Sequence, residues 1–326
     1  MYAVTLHEFG PAEKLQYERI PTPVPGRGQV RIDVEASGVH FIETMLRSGR
    51  RVGPHAAPEL PIVLGGEVAG VVGALGPDVD DIWLGRRVVS TLESDGGYAE
   101  QAVATVDTLH DVPGHMTADT AVAMITTGST ALGILDSADA GPGDIALVTS
   151  AAGGVGALLI QALRHQGVIV IGTAGGPEKV RRATALGADI AVDYRDPHWP
   201  DAVRDALGGR ELSIVFDGVG GTAGRHAFDL LAPGGRFLLH GWSSGTATRI
   251  TTDDIIEHAS TVIWAIGPQL LRHAGTVHEL QARAIRAAAD GVLEPLISRY
   301  PLSRAGDAHA DLENRRATGK VVLVPR

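Results

Sequence analysis

The stretch Thr149-Ser150-Ala151-Ala152-Gly153-Gly154-Val155-Gly156 carries the clearest chemical signal in the chain. An apolar run, Ile145 to Thr149, leads into it, and a segment with helical spacing follows from Val155 to about Gln166. Gly153, Gly154 and Gly156 allow a tight turn, a close approach of backbone to a pyrophosphate, and packing of the helix on its strand. The helix N-terminus adds unpaired N–H groups and a favourable dipole for phosphate charge. A glycine triplet alone is weak. Here it lies between two apolar strands inside about thirty residues, the context of a dinucleotide-binding βαβ unit.

The end of the second strand selects the dinucleotide. An NAD site places Asp or Glu there, about 20 residues past the turn, against the ribose 2′-OH. This chain has Gly172-Thr173-Ala174-Gly175-Gly176 instead, with Lys179 shortly after and Tyr194 just beyond the third strand. Missing repulsion plus a nearby cation and hydroxyl predicts a 2′-phosphate, and therefore NADPH. Lys14, Lys179 and Lys320 are the only lysines, so a lysine at this position stands out.

Composition bounds the rest. A length of 326 residues suggests two domains. A 44% hydrophobic content supports a sizeable core, and 20% charged residues is too low for a disordered chain. A net charge of −10 disfavours nucleic acid as a partner. No cysteine is present, which excludes disulfides, thiolate nucleophiles and cysteine-ligated zinc. The N-terminus lacks the basic and apolar segments of a signal peptide. No window reads as the roughly 18 apolar residues of a membrane span, so the expectation is a soluble cytoplasmic protein with no membrane partner.

The elements that must position these residues change character along the chain. Short strands come first: Val30 to Ala36, Ile62 to Leu64, Glu67 to Leu75, Arg86 to Ser90 and Tyr98 to Val103. They are separated by Gly and Pro clusters, as in a barrel-like antiparallel domain. From Thr117 a helix is expected, with a second over Ser129 to Ala138. Strands and helices then alternate. Strands are expected at Ile145–Thr149, Val168–Gly172, Ile190–Val192, Ile214–Asp217, Arg236–His240 and Thr261–Ile266, with a helix over Pro177 to Leu186. That alternation signals a doubly wound parallel sheet. A helix over Val277 to Asp290, a polar segment and a final strand, Val321 to Val324, complete the chain, the tail returning to the N-terminal domain.

An ordered set of segments resembles the medium-chain dehydrogenase/reductase superfamily, and within it the zinc-free quinone oxidoreductase branch that includes zeta-crystallin. The segments are Gly38-Val39-His40-Phe41-Ile42-Glu43-Thr44, Leu64-Gly65-Gly66-Glu67-Val68-Ala69-Gly70, Gly96-Gly97-Tyr98-Ala99-Glu100, Ala151 to Gly156, Phe216-Asp217-Gly218-Val219-Gly220 and Thr318-Gly319-Lys320-Val321-Val322-Leu323. The resemblance implies an α/β protein: a β-rich GroES-like catalytic domain from residues 1–118 and 268–326, with a Rossmann NADPH-binding domain over 119–267. It also implies a cleft between the domains and a homodimer. Zinc-dependent members carry Cys in the first segment and Gly-His-Glu in the second. His40 and Gly66 stand near those places here, so no metal is expected.

The resemblance implies site residues position by position. Thr130 matches a threonine near the nicotinamide. Ala152, Gly153, Gly154, Val155, Gly156 and Thr173 belong to the pyrophosphate and ribose site. Lys179, Tyr194 and Arg315, or Arg316 beside it, match ligands of the 2′-phosphate. Gly241 and Ser243 belong to a loop at the nicotinamide end, where Val219 and Ile266 also fall. The branch usually has Asn at His40; a histidine there can donate a hydrogen bond and also exchange a proton. His40 and Thr130 are the candidate catalytic residues, and His40, Met45, Arg51 and Trp242 the candidate substrate pocket. Arg47, Arg50 and Arg51 together make an anionic substrate conceivable.

The expected activity is zinc-independent reduction of a quinone or an activated C=C bond by hydride from NADPH. Two alternatives stay open: an enoyl-thioester reductase of a biosynthetic pathway, and a non-catalytic NADPH-binding protein.

Overall fold

The computed structural model describes residues 1–51 and 57–325. Contacts divide the chain into two units. One comprises Met1–Thr127, Gln281–Asp290 and Ile297–Arg326, the other Gly128–Leu280 and Gly291–Leu296.

The first unit opens with β1 (Tyr2–Leu6), β2 (Leu15–Arg19), β3 (Gln29–Val39), α1 (Phe41–Arg47) and β4 (Ile62–Val63). It continues through β5 (Glu67–Leu75), β6 (Arg87–Thr91), β7 (Gln101–Thr105), β8 (Leu109–Asp111) and α2 (Ala118–Ala123). β3 is longer than its alternating stretch suggests: it alternates at first and then turns wholly buried from Ala36 to Val39. The glycines within β5 do not break it. A side chain at Gly70 would meet the Asp33 carbonyl oxygen at 2.0 Å, so glycine is what lets β3 and β5 approach. β1 and β2 have no counterpart among the expected strands, yet they pair with Tyr2 opposite Arg19.

A turn of π-helix, Met124–Gly128, carries the chain from α2 into α3 (Ser129–Ala138). The helical stretch Ala118–Ala138 has the length and hydropathy of a membrane span, contrary to the sequence reading. Two thirds of its apolar window, 67%, is buried inside the protein, as befits a core helix.

The second unit continues β9 (Ile145–Val148), α4 (Gly154–His165), β10 (Ile169–Ala174), α5 (Pro177–Ala185), β11 (Ile190–Asp193), α6 (Trp199–Leu207), β12 (Leu212–Asp217), α7 (Gly221–Asp229), β13 (Leu231–Leu239), α8 (Thr252–His258) and β14 (Thr261–Trp264). Its six strands order as β11-β10-β9-β12-β13-β14, and every pair is parallel. This is the doubly wound sheet expected, reversing direction beside β9. β9 is buried at all four residues, which is why it reads as an unbroken apolar run. Trp199, Val203, Phe228 and Phe237 fill the core on one side of this sheet.

The last elements are α9 (Val277–Ala289), β15 (Ile297–Pro301), α10 (Ala305–Glu313) and β16 (Lys320–Val324). The stretch 305–313, a polar segment by sequence, is helical because Ala305, Ala308 and His309 bury one face. β16 lies antiparallel to β3, so the tail does return to the N-terminal strands. The resulting sheet runs β15-β16-β3-β5-β6-β8, with β7 on β3, and β2-β1-β4 forms a second small sheet.

Candidate functional site

In the second unit the chemistry gathers at the carboxyl ends of β9, β10 and β12. Ser150 takes a left-handed conformation, φ 54°, and turns the chain from β9 toward α4. The Gly153 N–H donates to the Ser150 carbonyl at 2.8 Å. A side chain at Gly156 would meet that same carbonyl oxygen at 2.3 Å, so the tight turn requires glycine there. Gly153 caps α4 without any side-chain acceptor, leaving the first N–H groups of α4 to a ligand. Ala152 and Gly156 are buried, while Gly153, Gly154 and Val155 are partly open. The structure thus builds the cradle that a pyrophosphate requires.

Asp217, wholly buried at the end of β12, ties this turn to the next one. It accepts from Thr149 Oγ1 at 3.0 Å and from the Val219 and Gly220 N–H groups at 3.0 and 3.1 Å. The Gly218 N–H in turn donates to Thr149 Oγ1 at 2.9 Å. Val219 is buried, and its carbonyl accepts the Ser244 N–H at 2.9 Å. The Ser243 N–H donates to the Gly218 carbonyl at 3.1 Å, which fixes the Gly241–Ser243 loop. Trp242 packs on Trp264 with ring centroids 5.3 Å apart. Ile266 is partly buried just after β14. Burial pushes His240 down to about 4, against the opposing charge of Asp217, so its imidazole is neutral at pH 7.

The end of β10 meets β11 side by side. Thr173 is buried, and its carbonyl accepts the Ala151 N–H at 2.9 Å. Ala174 lies opposite Asp193, and the Tyr194 N–H donates to the Ala174 carbonyl. The Tyr194 ring stands against Gly175, where an added side chain would meet its hydroxyl at 2.8 Å. Lys179 follows in the first turn of α5, partly buried.

Sequence reasoning missed an acid here. Asp193 lies beside the end of β10, one strand over, where order along the chain does not reveal it. Hydrogen bonding from Arg195, at 2.8 Å to Oδ2, and from the Gly176 N–H holds its carboxyl down at about 2. Arg195 thus offsets the charge of Asp193 at the end of this strand.

In the first unit the site centres on His40, the N-cap of α1. Strand register places its neighbours. Val321 lies opposite Val39, so one step on Lys320 falls opposite His40. Ser37 lies opposite Val68, which brings Glu67 beside Gly38. Lys320 Nζ stands 2.6 Å from Glu67 Oε1, and His40 Nε2 stands 3.0 Å from the same oxygen. Lys320 Nζ is also 3.0 Å from His40 Nε2. These are ion-pair contacts; neither Glu67 oxygen takes a hydrogen bond of good geometry among the described residues. Burial alone would raise the Glu67 carboxyl. The charges of His40 and Lys320 outweigh it and hold the group well below the usual carboxylate range.

A second buried network backs the first. Glu43 Oε2 accepts the His40 N–H at 2.7 Å and the Tyr98 hydroxyl at 2.6 Å. Burial raises the Glu43 carboxyl, the opposite of Glu67. Burial and the adjoining Glu43 charge raise the Tyr98 hydroxyl well above its usual value. Tyr98 also touches His309 Nε2 at 3.0 Å. Arg47, offered above as a candidate for an anionic substrate, is buried instead: it pairs with Glu313 at 2.5 Å and donates to the Gly10 carbonyl. Arg50 and Arg51 are exposed, Met45 is half-buried on α1, and Thr130 is half-buried in the first turn of α3. Of the two C-terminal arginines, Arg316 is committed to Asp311 at 2.6 Å, and Arg315 is exposed in a left-handed conformation, φ 55°.

The residues near the former zinc positions do not suit a metal cation. A fixed ammonium 3.0 Å from the His40 ring repels one. No group of three or more His, Cys, Asp or Glu able to hold a metal ion occurs among the described residues.

Comparison with known proteins follows the same division. Residues 26–114 match the family described as the alcohol dehydrogenase GroES-like domain, and residues 154–285 the one described as zinc-binding dehydrogenase. The chain is 31% identical to a 2-haloacrylate reductase of a Burkholderia species, over 99% of each chain. It is 32% identical to a quinone oxidoreductase of Pseudomonas aeruginosa, over 97% of each. A mycobacterial protein solved in complex with NADPH superposes with a TM-score of 0.87 at 36% identity, covering both chains fully. The fold, the glycine turn and these full-length likenesses agree, and the chain belongs to the quinone oxidoreductase branch of the medium-chain dehydrogenase/reductase superfamily.

Proposed function

We propose that the chain is an NADPH-dependent oxidoreductase that delivers a hydride to a quinone or to an activated C=C bond. The observation that carries the reading is the glycine turn on the α4 N-terminus in the second unit, with Tyr194 against Gly175 just past the end of β10. A relative 36% identical was solved with NADPH, which supports the same cofactor. When bound, NADPH supplies the hydride. The chain's residues bind and orient. The α4 N–H groups take the pyrophosphate, and Lys179 and Tyr194 take the 2′-phosphate. Arg315 is assigned a part in cofactor binding by the family resemblance. Thr130, Thr173, Val219, Gly241, Ser243 and Ile266 are assigned to the nicotinamide and its ribose, and Met45, Arg51 and Trp242 to the substrate. His40 is assigned proton exchange.

Substrate class follows from chemistry. One full-length relative is named for a haloacrylate, an α,β-unsaturated carboxylate, and others for quinones. Both classes accept a hydride at an electron-poor carbon or oxygen and then need a proton. With Arg47 turned into the protein, Arg50 and Arg51 are the exposed cations near α1 for a carboxylate. Self-association through β14, one of the two edge strands of the parallel sheet, is assigned to the homodimer.

The test is NADPH oxidation followed at 340 nm with 9,10-phenanthrenequinone, cyclohex-2-enone, 2-chloroacrylate and crotonyl thioester. Turnover of a quinone, enone or acrylate ahead of the thioester supports the reading. Preference for the thioester would move the chain to thioester reduction, and tight NADPH binding without turnover would make it a non-catalytic binder.

A further inference from the structure

Lys320 has no role in nucleotide binding as assigned above, yet it is among the most buried charges in the protein, 4% exposed. Its partner Glu67 is wholly buried. Burying an ion pair costs several kcal/mol per ion before attraction repays it, so such a pair is weak evidence for stability and strong reason to look for use. The pair does not stand alone. His40 closes a triangle with contacts of 2.6, 3.0 and 3.0 Å, and its side chain is 25% exposed while the other two are shut in. The triangle therefore has one corner through which a proton can enter and leave.

The backbone is built around this contact. Gly38 must be glycine, because a side chain there would overlap the Glu67 carboxylate at 1.9 Å. The β16 and β5 registers on β3 fix Lys320 and Glu67 on either side of the strand end that leads into His40. The groups facing His40 from the elements packed on it are Glu67 from β5, Lys320 from β16, and Glu43 from α1, the last on its main-chain N–H.

We infer that Glu67 and Lys320 are positioning residues for His40, holding its imidazole and setting how readily it exchanges the proton that the reduced substrate takes up. The inference rests on the reductive function proposed above. In that reaction a C=C π bond breaks. One carbon takes a hydride from reduced nicotinamide, which is oxidised, and the other takes the N–H proton of His40. The imidazolium becomes neutral imidazole and is recharged from water. Glu67 favours the charged ring and Lys320 disfavours it, so the two act in opposite senses.

That opposition is the test. The His40 imidazole is titrated by NMR in the cofactor-free full chain, its signal assigned by loss in His40→Asn. In Lys320→Met the midpoint is expected to move to higher pH, and in Glu67→Gln to lower pH, by about one unit or more each. Lys320→Arg keeps the charge and stays near the wild type. The pH profile of kcat/KM for the best substrate moves in the same directions. A purely structural pair would lower activity at every pH with the midpoint unmoved. Unmoved midpoints, or shifts of the same sign, would overturn the inference. Should one neutral variant fail to fold, the other decides, because its sign is specified alone. Opposite midpoint shifts without turnover of any substrate would support the positioning role and overturn the reductive function. Good turnover with unmoved midpoints would do the reverse.

Discussion

The proposed discrimination between the two nicotinamide cofactors rests on single side chains. At the end of β10 the carboxylate of Asp193 is paired with Arg195, and Lys179, in the first turn of α5, is assigned with Tyr194 to the 2′-phosphate. Lys179→Ala is expected to raise Kd for NADPH about tenfold or more, the size of a lost hydrogen bond to a charged group, with little change for NADH. Calorimetric titration of both cofactors checks it, and an equal loss for the two would remove the 2′-phosphate assignment. The turn and the strand end were readable from the chain, because they fall within one local βαβ unit. The His40 triangle was not. Lys320 sits 280 residues from His40, and only the pairing of β16 with β3 joins them. A clue was present: Lys320 is one of the few lysines and directly precedes the apolar run of a buried strand.

The β9–α4 turn works only with a backbone that can fold onto Ser150, so Gly156→Ala must push the Ser150 carbonyl away. Overpacking of that kind costs about 1–3 kcal/mol. NADPH affinity should fall with it, because the same turn is assigned the pyrophosphate. Gly114→Ala, which meets nothing within 4 Å, is the matched control and should unfold within about 0.5 kcal/mol of the wild type. Thermal melts with and without NADPH distinguish the two; equal melts for both variants would show that the turn has slack. The parallel strands were legible because each is a short apolar run between glycine turns. The helices α6, α7, α8 and α10 were not. α7 begins Gly221-Thr222-Ala223-Gly224, in which Gly221, Thr222 and Gly224 are poor helix formers, and is held by burial of Ala227 and Phe228. β2 escaped notice because Leu15-Gln16-Tyr17-Glu18-Arg19 is mostly polar, and its pairing with β1 lies in three dimensions.

At the scale of the whole molecule, buried neutral imidazoles set the response to acid. His309 is pushed down to about 3, mainly by burial and then by Arg47, and His240 to about 4 by burial. Unfolded, both take protons near pH 6.5. Between about pH 6.5 and 4 the unfolded chain binds more protons than the native one, so stability falls as pH falls, by roughly 1 kcal/mol per pH unit for each group. Melting temperature should decline steadily from pH 7 to 5, and His309→Gln should flatten part of the slope; a level profile would contradict the burial of these rings as neutral groups. The proposed function requires hydride transfer from the cofactor to one carbon of the substrate, and isotopic labelling reports that directly. NADPH deuterated at either prochiral position of C4 is supplied with cyclohex-2-enone or 2-chloroacrylate in ordinary water, and the reduced product is read by NMR. The account predicts carbon-bound deuterium at the β-carbon from one of the two labelled forms and none from the other. Reduced product that carries no deuterium from either form, or no reduced product at all, would contradict it.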